Sequence, residues 1–73
     1  MNREMEFQIE CLTAELIRSL MDDYGWNMQR AMDELYASET FQRIENPKTG
    51  LYYQSTVYVY QFLKNEIETG VMA

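Results

Sequence analysis

The chain is 73 residues long, carries 12 acidic against 6 basic residues for a formal net charge of −6, and contains no histidine and one cysteine. That length allows one domain with a small core. A single cysteine excludes an internal disulfide, and four-ligand zinc coordination is excluded with it.

The basic residues Arg3, Arg18, Arg30, Arg43, Lys48 and Lys64 are scattered, with no two adjacent. Affinity for nucleic acids and for anionic membranes depends on clustered Lys and Arg, so the composition points away from both. The first residues, Met-Asn-Arg-Glu-Met-Glu-Phe, lack the apolar core of a signal peptide. No apolar run approaches the roughly 20 residues of a membrane helix. A soluble, cytoplasmic protein with its thiol kept reduced is the expectation.

Met5, Ile9, Leu12, Leu16, Leu20 and Tyr24 recur every three or four residues, and Ile17 and Met21 widen the stripe. This spacing predicts a first helix of about six turns, capped by Asn2 and ended at Gly25. Met28, Ala31, Met32, Leu35 and Tyr36 keep the same spacing behind Asn27, a suitable N-cap, and predict a second helix. Only Gly25, Trp26 and Asn27 separate the two, so the helices should fold back on each other, with Trp26 plugging the end of the core. Ser38 caps a short third helix carrying Phe41 and Ile44.

Asn46-Pro47-Lys48-Thr49-Gly50 is the strongest break in the chain, because proline fixes one turn dihedral and glycine accepts a positive φ. Residues 51–63 read two ways. Val57, Val59 and four tyrosines favour strand, and a hairpin would pair residues 41–45 with 51–55. Val59, Phe62, Leu63 and Ile67 instead keep helical spacing between Ser55, a good N-cap, and Gly70, a natural stop. Lys64 and Glu68 add an i,i+4 pair. The helical reading is preferred: residues 51–54 extended, then a helix over 56–68. The fold class expected is all-α, a compact bundle of three to four helices forming one domain over 1–73, with an ordered part near 3–68 and a tail over 69–73.

Candidate chemistry is sparse. Without histidine there is no side chain that ordinarily titrates near neutrality. Cys11, mid-helix beside Glu10, has no cationic neighbour to make it a thiolate and reads as core or boundary packing. Asp22-Asp23 and Asp33-Glu34 are adjacent pairs that point about 100° apart on a helix and do not chelate by themselves. Thr49-Gly50 lacks the glycine run and lysine of a phosphate-binding loop. No catalytic group, metal site or cofactor site is expected. The methionines on the first two stripes, Met5, Met21, Met28 and Met32, read by default as core fillers, with the lining of an adaptable binding groove as the alternative.

The unusual feature is aromatic. Tyr52, Tyr53, Tyr58, Tyr60 and Phe62 fall within eleven residues. Tyr58 and Tyr60 point about 200° apart on a helix, so both cannot enter one small core. Tyrosine is enriched at interface centres, which makes Tyr52, Tyr53, Tyr58 and Tyr60 the candidate partner-binding residues. Covering the rim of a thin core is the plainer alternative. The partner would be another protein, or a second copy in a homodimer that buries the same rings.

Glu34-Leu35-Tyr36-Ala37-Ser38-Glu39-Thr40-Phe41, followed by Thr49-Gly50-Leu51-Tyr52-Tyr53-Gln54-Ser55 and Tyr58-Val59-Tyr60, resembles a family of small uncharacterised bacterial helical proteins. Some of its members are encoded beside candidate toxin genes. The resemblance spans residues 6–68 and implies an antitoxin-like or adaptor role without catalytic residues.

Overall fold

Four helices carry the fold in this computed structural model, which describes residues 3–71: α1 (Arg3–Tyr24), α2 (Met28–Tyr36), α3 (Glu39–Glu45) and α4 (Thr56–Thr69). Two short 3-10 turns, Pro47–Thr49 and Leu51–Tyr53, join α3 to α4. The chain is all-α, and among the described residues no strand forms. No described helix is long and apolar enough to cross a membrane.

Local chemistry sets the helix ends. Asn27, Ser38 and Ser55 have extended backbones, and their side chains accept from the N–H of Arg30, Phe41 and Tyr58 at 2.9, 3.0 and 3.2 Å. Each removes one of the orphan donors at a helix start. Gly25 and Gly70 close α1 and α4 with φ of 68° and 86°, a conformation that side chains with a Cβ resist. The expected cap Asn2 lies outside the described residues.

At 1.5 Å per residue the 22 residues of α1 extend about 33 Å, which matches the 33 Å long axis of the molecule. The other elements pack along this rod. Leu12, Leu16 and Leu20 of α1 meet Ala31 and Leu35 of α2, Ile44 of α3, Leu51, and Val59 and Leu63 of α4 in one buried cluster.

Five expectations need correction. The Leu51–Tyr53 segment is a 3-10 turn rather than extended, closed by the Gln54 N–H on Leu51 O at 3.1 Å. Successive residues in such a turn stand about 120° apart rather than 180°. Leu51 therefore enters the core while Tyr52 and Tyr53 lie edge to face with centroids 5.2 Å apart. Cys11 is exposed and packs in no core. Met28, assigned to the core stripe, is 58% exposed. Lys64 forms no ion pair with Glu68; the i,i+4 pair that does form is Glu39–Arg43 at 2.8 Å. Trp26 is half-buried, stacked on Tyr24 at 4.8 Å and covered by the Arg30 guanidinium at 4.4 Å, so it covers the core edge rather than plugging it.

Thr13 is the one misfit of the core. Its Oγ1 is buried without a hydrogen-bond partner among the described residues. Replacement by the isosteric valine removes an unsatisfied polar group, so Thr13→Val is expected to stabilise the fold by about 1 kcal/mol. Urea unfolding measures this, and a destabilised variant would show that the hydroxyl has a partner.

Candidate functional site

Four carboxylates among the described residues act as acceptors that tie helices together. Glu15 Oε1 accepts from the Thr56 hydroxyl at 3.0 Å, Asp23 Oδ2 from Tyr60 at 2.7 Å, and Glu68 Oε2 from Tyr24 at 2.9 Å. Glu66 takes both oxygens to the start of α3 and accepts from the N–H groups of Glu39 and Thr40. Among the described residues no three Cys, Asp or Glu side chains gather as a metal-ligand group. The acidic doublets accordingly act singly: Asp23 holds Tyr60, and Asp33 accepts from Gln29 at 2.9 Å.

Tyr60 separates from the other candidate tyrosines. Its ring is half-buried, and its hydroxyl bridges α4 to α1 through Asp23 and, at 3.4 Å, Ser19 O. Partial burial, the bond to Asp23 and the charges of Asp23, Tyr24 and Glu68 push its hydroxyl well above the ordinary tyrosine value. Burial, the bond to Glu68 and the charges of Glu68 and Asp23 push Tyr24 up to about 12. Both groups are raised above their unfolded value of 10, so their contribution is complete below that pH and is lost as pH rises through the folded values. Tyr60→Phe is expected to cost about 1 kcal/mol at neutral pH, screening included, and to flatten the alkaline fall in stability. Urea midpoints at neutral and alkaline pH measure both effects.

Tyr52 and Tyr53 face a different region. Together with Phe7, Gln8, Cys11 and Thr56 they line a shallow recess of about 200 Å³ between the first half of α1 and the start of α4. Phe7 is 65% exposed and Tyr53 61% exposed. A Cβ on Gly50, whose φ is 71°, would stand 2.7 Å from Tyr53 Oη, so glycine here lets the Tyr53 ring fold back over the turn. Val57 and Tyr58 follow on the outer surface of α4, where Tyr58 lies edge to face with Phe62 at 5.2 Å. The structure therefore pairs Tyr52 with Tyr53, leaves Tyr58 exposed on α4 beside Phe62, and commits Tyr60 to the fold. Phe7 escaped the sequence reading, although its position two residues after Met5, off the apolar stripe, marked it as an outward aromatic.

A second apolar surface lies on another flank of α1. One recess of about 530 Å³ is lined by Ala14, Ile17, Met21 and Met28, with Arg18 and Asp22. Its neighbour, about 400 Å³, is lined by Ile9, Glu10, Thr13, Tyr36 and Phe41 and shares Ala14 and Ile17. Met28 at one end of α1 and Tyr36 near the other show that α2 folds back along it. Periodicity puts Ile17, Met21 and Met28 on the core stripes; Ile17 and Met21 do pack against the core cluster with one side open, while Met28 is exposed, because a widened stripe does not reveal how much of its width a short α2 can cover.

Comparison with protein-family models, with curated proteins and with solved structures yields no match.

Proposed function

We propose that this chain is a non-enzymatic protein-interaction module, antitoxin-like or adaptor in role, that seats an apolar side chain of its partner in the recess between Phe7, Tyr52 and Tyr53. The observation carrying this reading is the pair of exposed rings, Phe7 at 65% and Tyr53 at 61%, on either side of one recess. Large aromatic side chains left in water lose free energy that a partner recovers by covering them, and such rings dominate the energetics of interfaces. Gly50 and the edge-to-face contact with Tyr52 fix the Tyr53 ring before binding, which reduces the ordering cost. Val57 and Tyr58 leave further apolar surface exposed on the first turn of α4. The net charge of −6 favours a partner whose apolar side chain is flanked by Lys or Arg. The antitoxin-like part of the reading rests on the family resemblance in residues 6–68.

The test is affinity capture from the native host, repeated with the double variant Phe7→Ala, Tyr53→Ala and with Tyr36→Ala as a control on another face. A partner protein should be retained by wild type and Tyr36→Ala, and weakened at least about tenfold by the double variant. Equal capture by all three chains would remove the recess from the function.

A further inference from the structure

We infer that the apolar flank of α1, distinct from the Phe7–Tyr53 recess, is the seat of a second copy of this chain, packed antiparallel across a twofold axis near Ala14 and Ile17. The two recesses on this flank share those residues and together run from Ile9 to Asp22, about 21 Å along the helix. A twofold axis midway between Ala14 and Ile17 exchanges the recesses, so each faces the other type on the second copy. Isologous pairing requires this kind of self-complementarity.

The exchange places a protrusion against a hollow. Met28 stands 58% exposed beside Met21 and Asp22. The axis carries it to the level of Ile9, where Tyr36 and Phe41 wall the other recess. Those two rings lie edge to face at 5.0 Å, and a thioether packs favourably against ring edges. Tyr36, 46% exposed, is covered in the same contact.

Charge selects the antiparallel arrangement. A parallel twofold pair would set Glu10 against Glu10 and Arg18 against Arg18. The antiparallel pair brings Arg18 of the second copy level with Thr13, three residues and about 4.5 Å along the axis from Glu10. Asp22 lines the outer edge of the same recess, about 120° around α1 from Glu10 against about 80° for Arg18, so Arg18 is the charge nearer the contact line. Arg18 makes no ion pair within its own chain among the described residues, so it is available for this contact. A chain of this length also has reason to associate, since a small core leaves apolar surface uncovered.

Sedimentation equilibrium on the full chain tests the proposal. Wild type should be dimeric at high micromolar concentration, and Ala14→Glu, on an exposed position that tolerates glutamate in a helix, should be monomeric with an unchanged helical spectrum. Glu10→Arg and Arg18→Glu alone should each dimerise roughly tenfold more weakly, because each homodimer then sets like charges together. Mixing these two variants should restore association, as the mixed dimer recovers both opposite-charge contacts. A monomeric wild type, a dimer indifferent to Ala14→Glu, or a mixture no tighter than its components would each overturn the proposal. Phe7→Ala, Tyr53→Ala should leave dimerisation intact, which separates this surface from the partner-binding recess.

Discussion

Leu16→Ala is expected to destabilise the chain by about 3–5 kcal/mol, the upper range for truncating a buried leucine. Leu16 is fully buried, at the middle of the Leu12–Leu16–Leu20 row, with core residues of every other helix in the same cluster. The space it vacates cannot collapse by moving one neighbour, because α1 spans the length of the molecule, α4 is tethered to it through Thr56–Glu15, Tyr60–Asp23 and Glu68–Tyr24, and α3 is tethered in turn to α4 through Glu66. A domain of this size has a total stability of roughly 4–11 kcal/mol, so the loss removes a large part of it. The melting temperature should fall by an amount on the order of 20 °C. Val57→Ala supplies the contrast: Val57 is 71% exposed, and its truncation should change stability by under about 0.5 kcal/mol. Urea or thermal unfolding of the two variants side by side measures both. A cost for Leu16→Ala near that of Val57→Ala would mean that the core is not organised around α1.

The residues that made this core legible in the sequence are those whose local chemistry and tertiary role agree. Leu12, Leu16, Leu20, Ala31 and Leu35 keep helical spacing and end up buried, and Asn27, Ser38, Ser55, Gly25 and Gly70 end helices where their backbone preferences dictate. Periodicity says which face of a helix is apolar, but not how wide a strip its neighbours cover. Ile17, Met21 and Met28 show the consequence: all three sit on predicted stripes, but Ile17 and Met21 pack against the core with one side open and Met28 is left exposed, because α2 has only nine residues against the 22 of α1. The tyrosines show a different limit. Counting rings on a helix established that some must face water, but which of them does depends on acceptors far away in the chain. Tyr60 is held because Asp23, 37 residues earlier, stands one helix away. Tyr52 and Tyr53 share a recess because Leu51 is drawn into the core and winds the segment into a turn. A hydrogen bond across 37 residues leaves no trace in local spacing.

The same kind of long-range acceptor underlies the second large expected effect, at Glu66. Its carboxylate reaches from α4 to the start of α3 and accepts from the N–H of Glu39 at 2.7 Å, the N–H of Thr40 at 3.0 Å and the Thr40 hydroxyl at 2.8 Å. Ser38 already caps α3 by accepting from the Phe41 N–H, so Glu66 satisfies the remaining donors of the first turn and adds a negative charge there. Partial burial works to raise the Glu66 pKa, but the bonds from Glu39 N–H, Thr40 N–H and the Thr40 hydroxyl outweigh it and hold the carboxyl below its ordinary 4.5. In the unfolded chain the group takes up its proton near that ordinary value; in the folded chain it does so at lower pH. Between the two values the unfolded state binds more protons, so stability rises with pH in that interval. The contribution is therefore complete above the ordinary glutamate range and disappears as pH falls through the folded value. Glu66→Ala should cost about 2 kcal/mol at neutral pH, below the sum of three charge-assisted bonds because the carboxylate is partly in water. Thr40 is fully buried, so its hydroxyl and N–H would be left without acceptors, and that desolvation carries much of the cost. Glu66→Gln keeps one acceptor oxygen and the shape, so it should fall between wild type and alanine at neutral pH and converge on wild type in acid. Chemical unfolding of the three chains from neutral pH into the acid range reads this out directly. A gap between wild type and glutamine that stays constant across the acid range would mean that shape, rather than the charge on Glu66, holds α4 to α3.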